Sequence, residues 1–242
     1  MSKCFLIARR EFGAFFTTWM AYIIGAATLF IDGLFFNSFA IGSGKKFSSE
    51  VLQDFFYFSS GFVMVAGILL AMRLLAEERQ SGTIVLFYTS PVSERQLIYG
   101  KFFSALGFLV FLLILSLYMP AMIFINGKVS LGHLASGYLS LVLIGGTAMA
   151  ISLFASTISP NQLMAGVLGA LFTVTLLVFW MLSDVVSPPF KEIFSYLAIH
   201  NRHFTPFSQG IVHTKDIVFY LSMIVFFLEC SVQALEARRW RG

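Results

Sequence analysis

Charged residues are scarce in this 242-residue chain, at 12% of the sequence, whereas an ordinary soluble domain carries about twice that fraction. Hydrophobic residues make up 58%, and the mean hydropathy is +0.85. A single soluble core cannot bury so much apolar surface, so the composition indicates an integral membrane protein. A membrane-spanning helix needs roughly 20 apolar residues, which allows about six or seven spans and no sizeable soluble domain. A fused ATPase, a nucleic-acid-binding module and a soluble enzyme are thereby excluded.

Cysteine and catalytic motifs are also missing. The two cysteines, Cys4 and Cys230, are too few for a disulfide framework or a metal cluster, and we expect free thiols. The pairs Gly44-Lys45 and Gly100-Lys101 lack the other residues of a phosphate-binding loop, and neither HExxH nor GxSxG occurs. We therefore expect no catalytic residue, no metal site and no cofactor in this chain, and no nucleic acid as its partner.

Apolar runs and turn signals divide the chain into an amphipathic segment and six spans. Residues 2–17 place apolar side chains such as Phe12 on one helical face and Lys3 and Arg10 on another, which is typical of a helix lying in the membrane interface. The six predicted spans are residues 18–41, 52–76, 101–125, 133–158, 160–182 and 217–235. The predicted fold class is an all-α membrane protein with six transmembrane helices in one domain, residues 1–242.

Helix-start signals mark the fifth span and the long connection after it. Ser159-Pro160 predicts the start of the fifth span, with Ser159 as the N-cap and Pro160 at the first helical position. In the polar connection of residues 183–216, Ser187-Pro188 and Thr205-Pro206 each predict the start of a short helix. We expect these two re-entrant helices to dip into the outer leaflet and to plug that end of the bundle.

The basic residues indicate which side of the membrane holds the two termini. With both termini in the cytoplasm, the cytoplasmic segments carry ten basic residues and the outer segments carry six. The ten are Lys3, Arg9, Arg10, Arg73, Arg79, Arg95, Lys101, Arg238, Arg239 and Arg241. Because Lys and Arg favour cytoplasmic loops, we expect both termini in the cytoplasm.

The most informative segment is the loop of residues 77–95, between the second and third predicted spans. Its candidate functional residues are Glu77, Glu78, Arg79, Gly82, Thr83, Ile84, Leu86, Phe87 and Pro91. Gly82 breaks the helix, the apolar residues after it form a short helix, and Pro91 ends that helix. Ser93 and Gln96 then form a capping box for the next helix. An exposed apolar patch of this kind marks a docking site, and an interfacial hairpin lying on lipid is the alternative interpretation.

This loop, with Glu-Glu-Arg, Gly-Thr, Thr-Ser-Pro-Val-Ser and Gly-Lys in that order, resembles the permease subunits of the ABC-2 transporter family. The likeness covers essentially the whole chain, including Arg9-Arg10-Glu11-Phe12 and the run from Phe204 to Asp216. Within the family, the chain resembles the gliding-motility-associated and the nitrous-oxide-reductase maturation permeases. One departure is Val85, because such permeases often carry a carboxylate there.

The resemblance implies a half-transporter in the bacterial inner membrane, without ATPase activity of its own. An amino-terminal elbow helix, with Arg9, Arg10 and Phe12, would lie on the inner leaflet. The loop of residues 77–95 would be a coupling helix seated in a cleft of a separate ABC ATPase, which binds ATP and Mg. Two permease subunits, identical or different, and two ATPase subunits would form the working unit, in contact with membrane lipid and with a periplasmic-domain partner. The implied function is export or mechanical transmission across the membrane.

Two carboxylates fall inside predicted spans, Asp32 in the first and Glu229 in the last, and neither has an obvious cationic partner in the sequence. Intramembrane carboxylates are costly and usually face the bundle interior or a water-filled cavity. Each is therefore either a substrate or gating contact, or a protonated or hydrogen-bonded packing residue.

Local spacing also predicts packing near the second, fourth and fifth spans. Arg73 and Glu77 form an i,i+4 pair that orients the end of the second span. Small residues four apart, such as Gly146 with Ala150, permit close helix contact, either within the chain or between subunits.

The competing functional classes are an ATP-independent carrier or channel and a membrane scaffold for an outer complex. A carrier should show broken helices or ion-coupling residues at matching positions of two repeats, and a scaffold needs no cytoplasmic docking helix. The histidines His133, His200, His203 and His213 all fall on the predicted outer side. They are interpreted as scattered polar loop residues, with a metal or pH site as the alternative.

Overall fold

The computed structural model describes residues 3–40, 47–83, 92–126, 130–188 and 190–239. These residues form helices joined by turns and short irregular segments. The helices are α1 (Lys3–Phe15), α2 (Trp19–Ala40), α3 (Ser48–Ala71), α4 (Arg73–Gln80), α5 (Glu94–Ser116), α6 (Tyr118–Asn126), α7 (Leu131–Ile158), α8 (Gln162–Val185), α9 (Phe190–Leu197), α10 (Asn201–Ser208) and α11 (Thr214–Arg239).

Six stretches of these helices are long and apolar enough to cross a membrane. They are Trp19–Ser38, Ser48–Gln80, Glu94–Ile123, Leu131–Ile158, Gln162–Val185 and Thr214–Ala237. The predicted all-α fold with six spans is confirmed, and the predicted amphipathic segment of residues 2–17 is present as α1. We call the end of the bundle that holds α1, Gln80 and Glu94 the basal end, and the opposite end the distal end.

The fourth span, α7, lies at the centre of the bundle. Its residues Ile144, Ala148 and Ile151 are fully buried, and it packs most extensively against α3, α8 and α11. The contact with α3 is very close, because a Cβ atom at Gly67 would lie only 2.8 Å from the carbonyl oxygen of Gly145. Small residues bring these two helices together, as is usual for helix packing in membranes.

Small residues of α7 and α8, among them Gly146 of the predicted pair, serve packing within the chain. A Cβ atom at Gly146 of α7 would meet Ile224 of α11 at 3.3 Å. A Cβ atom at Gly169 of α8 would lie 2.8 Å from the Ser152 hydroxyl of α7. The sequence leaves open whether such residues pack within the chain or between two subunits. At these two positions they pack within the chain.

The second span is interrupted at Met72, between α3 and α4. The hydroxyl of Ser156 on α7 accepts hydrogen bonds from the backbone N–H groups of Leu75, at 3.2 Å, and Ala76, at 2.9 Å. It also donates to the carbonyl oxygen of Met72 at 2.8 Å. A side chain from a neighbouring helix therefore satisfies backbone groups at this interruption.

The predicted start of the fifth span needs correction. Its helix, α8, begins at Gln162, and the N-cap is Asn161, whose side chain accepts a hydrogen bond from the backbone N–H of Met164 at 2.9 Å. Ser159 belongs to the end of α7 instead, where its hydroxyl donates to the carbonyl oxygen of Ala155 at 2.7 Å. The prediction of Ser159 as the N-cap is wrong because the preceding helix already uses this side chain.

The distal connection contains two short helices, as predicted, but the second begins earlier than expected. The first, α9, follows Ser187-Pro188. The second, α10, contains Pro206 within the helix, so Thr205-Pro206 does not start it. The carbonyl oxygen of His200 already accepts the backbone N–H of Phe204 at 2.8 Å, which sets up the helix one turn before the proline.

Candidate functional site

A buried group of charges lies at the basal end, around Lys101. The Lys101 side chain is only 2% exposed, and its Nζ lies 2.6 Å from Glu78 Oε1 and 3.6 Å from Glu11 Oε2. Arg10, whose own side chain is exposed, contacts Glu11 at 2.6 Å. We call Arg10, Glu11, Glu78 and Lys101 the basal cluster. It joins α1, α4 and α5, because a buried ammonium needs partners and finds them on two other helices.

The charge of Glu11 is maintained by its neighbours. Burial raises the pKa of Glu11, but the positive charges of Lys101 and Arg10 outweigh burial, so its pKa lies below the usual range. Glu11 is therefore ionised at neutral pH and attracts Lys101. This attraction holds α1 against the start of the third span.

Close backbone contact between α1 and α5 supports the same arrangement. A Cβ atom at Gly100 would lie 2.9 Å from the Ile7 side chain, so glycine allows α1 to approach α5 next to Lys101. Farther along, Phe15 stacks on Phe108 with 5.1 Å between the ring centroids. Of the residues predicted for the elbow helix, Phe12 packs against the core, whereas Arg9 and Arg10 are exposed.

Arg79 connects the end of α4 to the end of α7. Its guanidinium donates hydrogen bonds to the carbonyl oxygens of Thr157, at 2.7 Å, and Ser159. The last carbonyl groups of a helix have no partner within the helix and carry partial negative charge, so a guanidinium is well suited to them. The residues that lead into the loop are thereby fixed to the junction of α7 and α8.

The two flanks of the predicted coupling segment have the expected local structure. Gly82 has a φ of +74°, which ends the helix, and Thr83 follows it. On the other flank the predicted capping box of Ser93 and Gln96 is confirmed. The segment between them, with Ile84, Val85, Leu86, Phe87 and Pro91, lies outside the described residues.

The other ion pairs of the basal end involve Glu77 and Glu229. The predicted pair of Arg73 with Glu77 is confirmed at 2.9 Å. Glu229 contacts Arg95 at 2.9 Å and accepts a hydrogen bond from the Tyr99 hydroxyl at 3.0 Å. The expectation that Glu229 lacks a cationic partner is therefore wrong, because α11 brings it beside the start of α5.

Asp32 lies apart from this site, in the distal half of α2. It is 3% exposed and is hydrogen-bonded by Ser59 of α3. Its Oδ1 atom has no hydrogen-bond partner among the residues that the structure describes. The two intramembrane carboxylates, Asp32 and Glu229, are therefore not brought together.

Three of the four histidines hold the distal helices in place, so their interpretation as scattered loop residues is wrong. His203 Nδ1 lies 2.7 Å from Asp216 Oδ1, and both residues are buried. His200 Nε2 lies 2.7 Å from the Ser60 hydroxyl, and His133 Nε2 lies 2.7 Å from the carbonyl oxygen of Ser208. His213 is exposed. Within the described part of the chain, no group of three or more His, Cys, Asp or Glu residues could hold a metal ion.

The burial of Lys101 could not be recognised from local sequence patterns. The sequence does carry one signal: Lys101 stands at the edge of a long apolar run, where a lysine needs a polar partner. The sequence does not tell which of its carboxylates lies nearby. The structure selects Glu78 and Glu11 from the twelve acidic residues of the chain.

Six apolar helices, with a further helix bound to their basal end by the ion pair of Lys101 with Glu11, define a multi-pass integral membrane protein. The sequence profile of the ABC-2 family transporter proteins matches residues 32–227, well over half of the chain, and the chain belongs to this family. It is thus a membrane transport component, and the resemblance carried by the loop of residues 77–95 is confirmed at the level of the family. No curated protein is significantly similar to the chain in sequence.

Proposed function

We propose that the chain is the permease subunit of an ABC transporter in the bacterial inner membrane, with both termini in the cytoplasm. A separate ATPase subunit would bind ATP and Mg, and its hydrolysis cycle would drive export or mechanical transmission across the membrane. Membership of the ABC-2 family supports this proposal, and the absence of a phosphate-binding loop from the sequence agrees with it.

The observation that carries the proposal is the link across the base of the coupling segment. Glu78 precedes this segment and Lys101 follows it, and their side chains meet at 2.6 Å. A force on residues 84–91 would therefore act on α4 and α5 together, and on α1 through Glu11. Rigid-body rocking of packed helices is an ordinary way to convert such a force into a conformational change.

The coupling segment itself would be the surface that meets the ATPase. Ile84, Leu86 and Phe87 would enter an apolar cleft of the ATPase, and Glu77 and Arg79 would orient the entry to the segment. Val85 implies an apolar contact where related permeases often carry a carboxylate.

The assembly would contain two permease subunits, identical or different. The apolar side chains exposed along α2 and α8 would face lipid or the second subunit. Within the family we group the chain with the gliding-motility-associated and nitrous-oxide-reductase maturation permeases, on the motif of residues 77–95. A periplasmic-domain partner would bind the outer side.

Asp32 and Glu229 are proposed as polar contacts of the transport pathway and of its gating. The buried Oδ1 atom of Asp32, without a hydrogen-bond partner among the described residues, supports a role in binding a transported group. The pair of Glu229 with Arg95 supports a role in gating, because it joins the last span to the start of the third at the basal end.

Co-purification with the ATPase tests the proposed function. The double substitution Leu86→Asp with Phe87→Asp places two charges in the contact, so binding of the ATPase should fall to background. The matched control is Ile211→Asp with Val212→Asp, since these two exposed apolar residues lie at the distal end. The control should bind the ATPase normally, and both variants should unfold at the temperature of the wild type. Full ATPase binding by the first variant would contradict the coupling assignment and leave a membrane scaffold or carrier in its place.

A further inference from the structure

A cavity of about 240 Å³ lies beside the basal cluster, between α1, α4 and the start of α5. Its charged and hydroxyl-bearing lining includes Glu11, Arg73, Glu77, Glu78, Lys101 and Thr18. The volume is below the roughly 300–1,000 Å³ of pockets that enclose a whole drug-sized ligand. It suits one small polar group rather than a complete substrate.

The surroundings of the cavity place it at the depth of lipid headgroups. Trp19 follows the lining residue Thr18 and is 84% exposed, and Tyr22 is exposed one turn later. Trp and Tyr are enriched where membrane spans meet the headgroup region. On α1, Phe5 and Leu6 present further apolar side chains at the surface, as expected for a helix lying in the interface. A headgroup can therefore enter the cavity while its acyl chains stay in the bilayer.

The carboxylates of the cavity favour a group with N–H donors. Three carboxylates and two basic side chains line it, and Arg10 adds a third positive charge through its contact with Glu11, so the charges balance. Glu78 Oε2 is buried and accepts no hydrogen bond from the described residues, although Oε1 is paired with Lys101. A buried carboxylate oxygen without a donor is costly, so a ligand that supplies a donor at this point is stabilised.

Arg73 supplies the complementary charge. Within the described part of the chain its guanidinium is paired only with Glu77, through Nε at 2.9 Å. The terminal nitrogens make no hydrogen bond to another described residue and suit a phosphate, which guanidinium groups bind in a bidentate manner. The cavity thus offers a site for an ammonium and a site for a phosphate next to each other.

We propose that this cavity binds the headgroup of an aminophospholipid such as phosphatidylethanolamine, with the ammonium on Glu77 and Glu78 and the phosphate on Arg73. Phosphatidylcholine has no N–H donor for the Glu78 oxygen, and phosphatidylglycerol has no ammonium group at all. The bound lipid would contact α4 at the base of the coupling segment, in a cavity that α1 also lines. This inference does not require the ATPase partner.

Native mass spectrometry of the purified chain in detergent tests the proposal. The added lipids are phosphatidylethanolamine, its N-methyl and N,N-dimethyl forms, phosphatidylcholine and phosphatidylglycerol, all with the same acyl chains. One phosphatidylethanolamine should be retained with about tenfold higher affinity than phosphatidylcholine, since one charge-assisted hydrogen bond has about this effect. The methylated forms should bind with intermediate affinity, because each methyl group removes one donor.

Substitutions locate the binding in the cavity. Glu77→Gln should lower the affinity for phosphatidylethanolamine about tenfold and that for phosphatidylcholine less, because choline makes no hydrogen bond to the carboxylate. Glu77 is half-exposed, so this variant should fold normally. Glu236→Gln is the matched control, because Glu236 is an exposed carboxylate near the basal end of α11. Ala14→Phe, which narrows the cavity without changing its charge, should also abolish retention of the lipid.

Three outcomes would overturn the proposal. The first is equal affinity of the wild type for phosphatidylethanolamine and phosphatidylcholine. The second is unchanged binding in both Glu77→Gln and Ala14→Phe. The third is displacement of the lipid by soluble phosphoethanolamine at the same concentration, which would indicate a soluble amine or a lysine of a protein partner as the ligand.

Discussion

Replacing Lys101 by Met measures how strongly the basal cluster holds α1 and α4 against α5. Met has nearly the length of Lys but no ammonium, so Glu78, at 2.6 Å, and Glu11, at 3.6 Å, lose their common partner. Removing one partner of a buried ion pair costs about 3–5 kcal/mol. The two glutamate side chains keep 17% and 18% exposure, so we expect the lower end of this range, about 3 kcal/mol of unfolding free energy.

Unfolding of the purified chain by SDS in mixed micelles, followed by circular dichroism, gives this free energy. Arg95→Met is the matched control, because the pair of Arg95 with Glu229 is also short, at 2.9 Å, but Arg95 is 68% exposed. An exposed pair contributes about 0–1 kcal/mol. Adding Glu78→Gln to Lys101→Met should recover part of the loss, because it removes a carboxylate left without its partner. A loss no larger for Lys101→Met than for Arg95→Met would refute the reasoning.

Two further predictions concern the central helix crossing and the distal end. Gly67→Ala should lower the unfolding free energy by about 1–3 kcal/mol in the same titration, because its Cβ would meet the Gly145 carbonyl oxygen at 2.8 Å. Burial holds the pKa of His200 below its usual value of 6.5, because it disfavours the charged imidazole. The stability contributed by neutral His200 is therefore fully present above pH 6.5 and is lost as the pH falls through the lowered pKa. Thermal unfolding at a series of pH values measures this loss.

Each of these predictions has a control on the same element or the same end of the bundle. A Cβ atom at Gly61, also on α3, would contact nothing within 4 Å, so Gly61→Ala should be neutral or stabilise by about 0.5–1 kcal/mol. Equal losses at Gly61 and Gly67 would contradict the packing argument. His200→Gln should flatten the decline of stability toward acid pH, whereas His213→Gln, at an exposed position, should not. An unchanged decline in the first variant would exclude His200 as its cause.

Features that depend on neighbouring residues could be predicted from the sequence. The capping box of Ser93 and Gln96 needs only two side chains within one helical turn. The break at Gly82 needs only a residue that tolerates positive φ. The spans followed from long apolar runs, whose length is set by the thickness of the bilayer.

The start of the fifth span could not be predicted because two helices compete for the same few residues. Ser159 and Asn161 are both good N-cap residues, and Pro160 is compatible with either choice. The hydroxyl of Ser159 bonds back to Ala155, so Asn161 is left to cap α8. Sequence preferences alone give no way to rank these two arrangements.

The candidate site depends on contacts between distant parts of the chain. Glu78 and Lys101 are 23 residues apart, and Arg95 and Glu229 are 134 residues apart. Amphipathic spacing tells which face of a helix is apolar, but not which helix lies against it. For this reason the ion pair of Arg73 with Glu77, one turn apart, could be predicted, and the partner of Glu229 could not.

The side chain of Ser156 attaches the second span to the fourth at Met72. Its hydroxyl bonds to backbone groups of Met72, Leu75 and Ala76, and Arg79, one turn farther along α4, bonds to the carbonyl oxygens of Thr157 and Ser159. A displacement of α4 would therefore be passed to the turn between α7 and α8. A small rotation at one membrane surface would in this way reach the fourth and fifth spans through these hydrogen bonds.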